Sequence, residues 1–152
     1  MHNAPMDFDP LRDYPLGERR PDLVRSPDGT LLEELTLDAA LAGSIDGSTL
    51  RAASDTLVRQ AAVALASGSA GLAANLVRAS ELTALDDALI LEIYTALRPH
   101  RSTATELSDW ADRLERDHDA PVTAAFVREA AAIYGARQLL RTTPHDRDSV
   151  AS

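Results

Sequence analysis

The sequence predicts an all-α protein, a small helical bundle of about five helices preceded by an extended N-terminal arm, and three observations lead there. Apolar residues make up 45% of the chain but aromatics only 4%, so the apolar mass is Ala and Leu, which favour helix over strand. Runs rich in Val, Ile, Thr and Tyr, the residues that fit a pleated surface, are missing. From about residue 54 onward, apolar side chains recur every three or four positions between helix-starting and helix-stopping residues.

The first 47 residues lack a sustained period and are punctuated by Pro5, Pro10, Pro15, Pro21, Pro27 and Gly29. Residues 1–12 are expected to be disordered, and residues 13–47 to form an arm with one short helix. Tyr14, Leu16, Leu23, Val24, Leu31, Leu32, Leu35 and Leu37 give that arm too much apolar content for a solvated tail. It lies either on its own domain or on a partner. Thr36 is placed to cap a short helix from Asp38 to Ala42, which Gly43 stops, and Ser44 to Leu50 reads as a turn.

Residues 48–141 form the expected helical domain. Ser54 or Asp55 is the expected cap of a helix carrying Leu57, Ala61, Ala64 and Leu65, with Gly68 beyond its end. A second helix starts at Ala70 and carries Leu72, Leu76, Ala79 and Leu82. The third starts at Asp86 and Asp87, whose carboxylates suit a helix N-terminus, and puts Ile90, Ile93, Tyr94 and Leu97 on one face before Pro99. Thr103 and Glu106 have the spacing of a capping box ahead of a stripe of Leu107, Trp110, Ala111 and Leu114. Pro121 opens the last helix, with Val122, Phe126, Ala130 and Ile133 as its stripe and an end near Leu140 or earlier at Gly135. Residues 142–152 read as a disordered polar tail.

Composition excludes several function classes. The chain has no cysteine, which removes disulfides, thiolate metal sites and a Cys nucleophile together. The net charge is −9 and all fifteen basic residues are Arg, so the surface field repels phosphate backbones and acidic membranes, and neither nucleic acid nor membrane is expected as a partner. No stretch approaches a membrane span or a secretory signal core, and a cytoplasmic location is the expectation.

No catalytic, cofactor-binding or metal-binding residue is assigned. His2, His100, His118 and His145 are scattered, and Asp117, His118 and Asp119 are consecutive, so their side chains point apart rather than converge on a metal. G-x-S-x-G, G-x-G-x-x-G and P-loop patterns are absent. The segment Leu97 to Ser102, LRPHRS, concentrates Arg98, His100 and Arg101 in a corner fixed by Pro99. Either these cations complement a helix dipole, or Arg forks there pair with carboxylates of another subunit.

Four segments in order carry a resemblance: DYPLGERRPDL with TLLEELTLDAAL, DTLVRQA, ELTALDDALILEIYTALRPHRS and AAFVREAAAIYGAR. Together they span about Asp13 to Arg141. The chain resembles the small, or gamma, subunit of adenosylcobalamin-dependent diol and glycerol dehydratases. Ser67–Gly68–Ser69, Leu76, Leu85 and His118 depart from that pattern.

The resemblance implies a non-catalytic subunit that assembles with a large and a medium subunit, as a dimer of heterotrimers, in a hydro-lyase that converts propane-1,2-diol or glycerol to an aldehyde. It implies that adenosylcobalamin is bound by those other subunits and that none is bound by this chain. A stand-alone helical adaptor derived from the same fold is the alternative. Candidate subunit-interface residues are Tyr14, Leu16, Leu23, Arg98, Pro99, His100, Arg101 and Arg128. Some relatives carry an amphipathic packaging helix before the DYPL-like segment. About twelve residues containing Pro5 and Pro10 stand there here, so no microcompartment signal is apparent.

Overall fold

The computed structural model describes residues 8–47 and 49–142. The disorder expected of residues 1–7 and 143–152, and with it most of the segment on which the packaging reading rests, lies outside the described residues.

Among the described residues the chain is all-helical, with seven α-helices: α1 (Leu16–Arg19), α2 (Leu37–Leu41), α3 (Ser54–Ala66), α4 (Ala70–Leu82), α5 (Asp87–Ala96), α6 (Ala104–Asp117) and α7 (Pro121–Ala136). Five of these are long, as the apolar periodicity predicts. They fall into two compact units, residues 1–83 and 84–152.

In the first unit the arm holds more local structure than its prolines suggest. Asp9 accepts hydrogen bonds from the backbone N–H groups of Leu11 and Arg12 at 2.9 and 3.0 Å. α1 and single 3-10 turns at Pro21–Leu23 and Leu32–Glu34 follow, with an isolated antiparallel bridge between Arg25 and Leu31. These turns are too short to show a period, which is why the sequence predicts only α2. Thr36 caps α2 as expected, accepting from Ala39 N–H at 3.2 Å.

α3 departs from expectation at its start. Ala53 occupies the cap position without a side-chain bond, Ser54 is already helical, and Asp55 lies in the first turn, where its charge favours the helix dipole. Gly68, at φ 80°, takes the left-handed conformation that ends α3, a position where a Cβ is disfavoured. α3 packs along α4 through alanines: Ala61, Ala64 and Ala73 are buried, with Leu76 and Val77 against them. The expected stripe residues Leu65 and Leu72 stand exposed instead. Alanine faces let the helices approach closely, so the longer leucines fall outside the contact.

In the second unit α6 packs along α7 around Leu107, Leu114 and Val127, which are essentially inaccessible, with Ala111 and Ala124. The capping box of α6 forms as expected: Thr103 Oγ1 accepts from Glu106 N–H at 3.2 Å and Glu106 accepts from Thr103 N–H at 2.8 Å. Asp86 caps α5, accepting from Leu89 N–H at 2.8 Å.

Two faces are corrected. α7 ends at Ala136 and buries Thr123, Ala124 and Val127, one position on from the expected Val122 and Phe126. α5 buries Leu89 and Ile93 while Tyr94 is 52% exposed. Both helices carry apolar residues nearly all round, so periodicity alone does not choose the inward side.

Candidate functional site

The eight candidate interface residues divide between the units. Tyr14, Leu16 and Leu23 belong to the first; Arg98, Pro99, His100, Arg101 and Arg128 belong to the second.

Tyr14 is exposed, and with Pro10 and Leu11 it rims a largely apolar cavity of about 550 Å³ whose other wall is Gln60, Val63 and Ala64 of α3, Ser67, and Leu72 and Leu76 of α4. Leu16 is buried within the chain at 7% exposure, so it anchors α1 beneath the surface that Tyr14 presents. Leu23 is half-buried, and its carbonyl accepts from Arg59 of α3 at 3.0 Å. That bond ties the arm to the helical part of its own unit.

Two carboxylates, which periodicity does not reveal, shape the arm. Asp13 is buried and accepts from Arg12 Nε at 2.6 Å, with Arg20 at 3.5 Å. The Arg12 guanidinium holds its carboxyl well below the usual carboxylate range, reinforced by the backbone N–H of Asp9. Asp28 accepts from Ser26 Oγ, from Thr30 N–H and Oγ1 at 3.0 and 2.7 Å, and from Thr49 Oγ1 at 3.1 Å. The Ser26 hydroxyl first, then the Thr30 groups, depress its pKa well below the ordinary range. The signal for Asp28 is readable as Pro27–Asp28–Gly29, a turn sequence. The bond from Thr49 is not readable, because it closes a loop of unrelated spacing.

In the second unit, Arg98, Pro99, His100 and Arg101 are all exposed at the turn after α5. The turn is held from three sides. His100 N–H donates to the Leu139 carbonyl at 2.7 Å, Arg141 N–H to the Ser102 carbonyl at 2.9 Å, and Tyr134 Oη to the Leu97 carbonyl at 2.6 Å. Ser102 Oγ adds a bond to the Ala96 carbonyl at 2.9 Å. The corner therefore includes the C-terminal end of α7, which the sequence reading did not place there.

Arg128 is exposed and bridges Asp112 at 2.8 Å and Glu115 at 2.6 Å, joining α7 to α6. Those two carboxylates raise its pKa further.

Among the described residues no three His, Cys, Asp or Glu side chains come together as a metal-holding group. No helix among them is long and apolar enough to cross a membrane. What the chain presents is contact chemistry. Leu11, Tyr14, Leu72, Leu91 and Tyr94 are more than half exposed.

An all-α chain that exposes large apolar side chains and a corner of arginines fits the class of helical subunits that act through other proteins. Comparison with known proteins makes the class specific: the chain belongs to the dehydratase small subunit family, whose model matches residues 10–141. It is 45% identical over 131 residues to the propanediol dehydratase small subunit of Citrobacter freundii, and 44% identical over 131 residues to that of Salmonella typhimurium strain LT2. Each match covers 86% of this chain and 76% of the relative. The chain is thus the small subunit of a dehydratase, a lyase complex that contains other subunits.

Proposed function

We propose that this small subunit serves an adenosylcobalamin-dependent diol dehydratase acting on propane-1,2-diol or glycerol, in the cytoplasm, by assembling with a large catalytic and a medium subunit as a dimer of heterotrimers. The observation that carries the reading is the match, over 86% of this chain and 76% of each relative, to proteins named for propanediol dehydratase at 44–45% identity. An adaptor with new partners is the weaker reading, because the family match runs through residues 10–141 rather than one segment.

The described residues of this chain do not fit the cofactor. A corrin needs a broad enclosed apolar cleft and, in many proteins, an axial imidazole. The arm cavity of about 550 Å³ is an open groove with no imidazole lining it, and His100 and His118 stand at helix ends. No step of the chemistry is routed through this chain. Its contribution is to hold the other subunits in their working arrangement through Tyr14, Leu23, Arg98, Pro99, His100, Arg101 and Arg128, with Leu16, buried within the chain, anchoring α1.

Co-expression with the large and medium subunits tests this. The expected result is copurification of all three with coenzyme-dependent aldehyde formation from propane-1,2-diol or glycerol. Recovery of the chain alone as a stable monomer, with full activity in the other two subunits, would overturn it.

A further inference from the structure

The groove between α5 and α6 has the features of an anchor site for an acidic partner. It has a volume of about 410 Å³ and is lined by Leu91, Glu92, Thr95 and Ala96 of α5, by Arg101 and Ser102, and by Trp110 of α6. Leu91 is 67% exposed at its edge. α5 is mostly apolar yet packs only sparsely on other helices, whereas α3 pairs with α4 and α6 with α7.

Charge around the groove is unusual for this chain. In the second unit, Arg116, Arg128 and Arg141 each pair with a carboxylate. Among the described residues of that unit, the arginines that do not are Arg98, Arg101, Arg113 and Arg137. Arg101 lines the groove, and Arg113 lies 4.5 Å above the Trp110 ring that forms its wall. Arg98 and Arg137 flank the corner that the His100–Leu139 bond closes. Glu92 is the single carboxylate in the lining. In a chain of net charge −9, Arg101 and Arg113 at the groove, with Arg98 and Arg137 at the adjoining corner, favour an acidic group from outside.

The corner is also stiff. His100 and Gln138 hold left-handed backbone conformations, φ 61° and 56°, that side-chain-bearing residues seldom adopt, and the backbone bonds across the corner fix them. A preset corner loses little freedom on binding.

We propose that this groove takes an apolar side chain flanked by carboxylates from another subunit of the dehydratase, with Leu91 and Trp110 gripping the apolar part and Arg98, Arg101, Arg113 and Arg137 the acidic part. The inference rests on the reading of the chain as an assembly subunit and adds the chemistry of what it grips.

The test is co-expression of the full chain with the large and medium subunits, capture on a tagged large subunit, and washing at rising salt. The small-to-large ratio is the readout. Arg98, Arg101 and Leu91 are exposed, so variants there keep the fold, which far-UV circular dichroism checks. The double variant Arg98→Glu with Arg101→Glu is expected to lower retention at least tenfold, and Leu91→Ala several-fold at high salt. Arg116→Glu, outside the groove, is expected to match the unaltered chain. Unaltered retention and salt profile in all three variants would sink the groove while leaving assembly intact, as would equal loss in Arg116→Glu. Failure of the unaltered chain to be captured would overturn the assembly reading and the inference with it. Self-association of the isolated chain that Leu91→Ala abolishes would assign the groove to a second copy and refute the acidic-partner proposal.

Discussion

The two units hold themselves together by different means. Residues 84–142 have a core of branched aliphatic side chains, Leu107, Leu114 and Val127, closed by a complete capping box and by the Arg128 bridge. Residues 8–83 have a core of alanines, Ala61, Ala64 and Ala73, and depend on hydrogen-bonded carboxylates at Asp13 and Asp28. The first unit also leaves Leu11, Tyr14, Leu37, Leu41, Leu50, Leu65 and Leu72 more than half exposed; in the second, Leu91 and Tyr94 are. A unit with a small interior and much uncovered apolar surface gains stability when another protein covers it. The difference teaches that the helical pair α6–α7 is the self-sufficient part of the subunit, and the arm with α3–α4 the dependent part.

The largest effect should come from cutting into the stronger core. Leu114→Ala leaves a cavity between α6 and α7 and is expected to cost about 2–5 kcal/mol in urea unfolding of the full chain. A cost under about 1 kcal/mol would mean that the second unit is not the stable one. Ala64→Leu tests the first unit from the other side. Forcing a leucine into the alanine contact of α3 with α4 should cost about 1–3 kcal/mol. A gain in melting temperature would show that the contact is loose.

Thr103→Ala removes the hydroxyl half of the α6 capping box and should cost about 1 kcal/mol. Arg128→Ala should move stability by less than about 1 kcal/mol despite its two bridges, because both partners are half exposed. If Arg128→Ala nevertheless lowers small-subunit recovery in the complex, its place is at the interface.

The acid response should separate the units as well. Asp13 and Asp28 have folded-state pKa values below the ordinary 3.8, so their contribution is complete above that value and is lost as pH falls from there through the depressed folded values. Asp28→Asn should lower stability near neutral pH and flatten its decline below about pH 4. Fluorescence from the Trp110 region reports the second unit and should lag circular dichroism, which includes the first.

Much of this was legible before the structure. Thr36, Asp86 and the Thr103–Glu106 pair announce helix starts because capping is a local affair of three residues. The inward faces of α5 and α7 were not legible: with apolar or alanine residues on every side, only the neighbouring helix decides. The same holds for the candidate site. Arg98, His100 and Arg101 are adjacent in sequence and readable as a cluster, whereas Arg137 and Trp110 join them only through the fold. Leu16 reads as an arm residue that lies either on its own domain or on a partner, and it is buried within the chain; a four-residue helix leaves no period from which to infer its facing.

Hydrogen exchange of the full chain, free and in the purified dehydratase complex, tests the central claim most directly. The account predicts that in the free chain the amides of α3 and α4 exchange before those of α6 and α7, and that assembly slows Pro10 to Leu23, α4 and α5 while leaving the buried centre of α6 and α7 unchanged. Identical exchange profiles in the two states would contradict it.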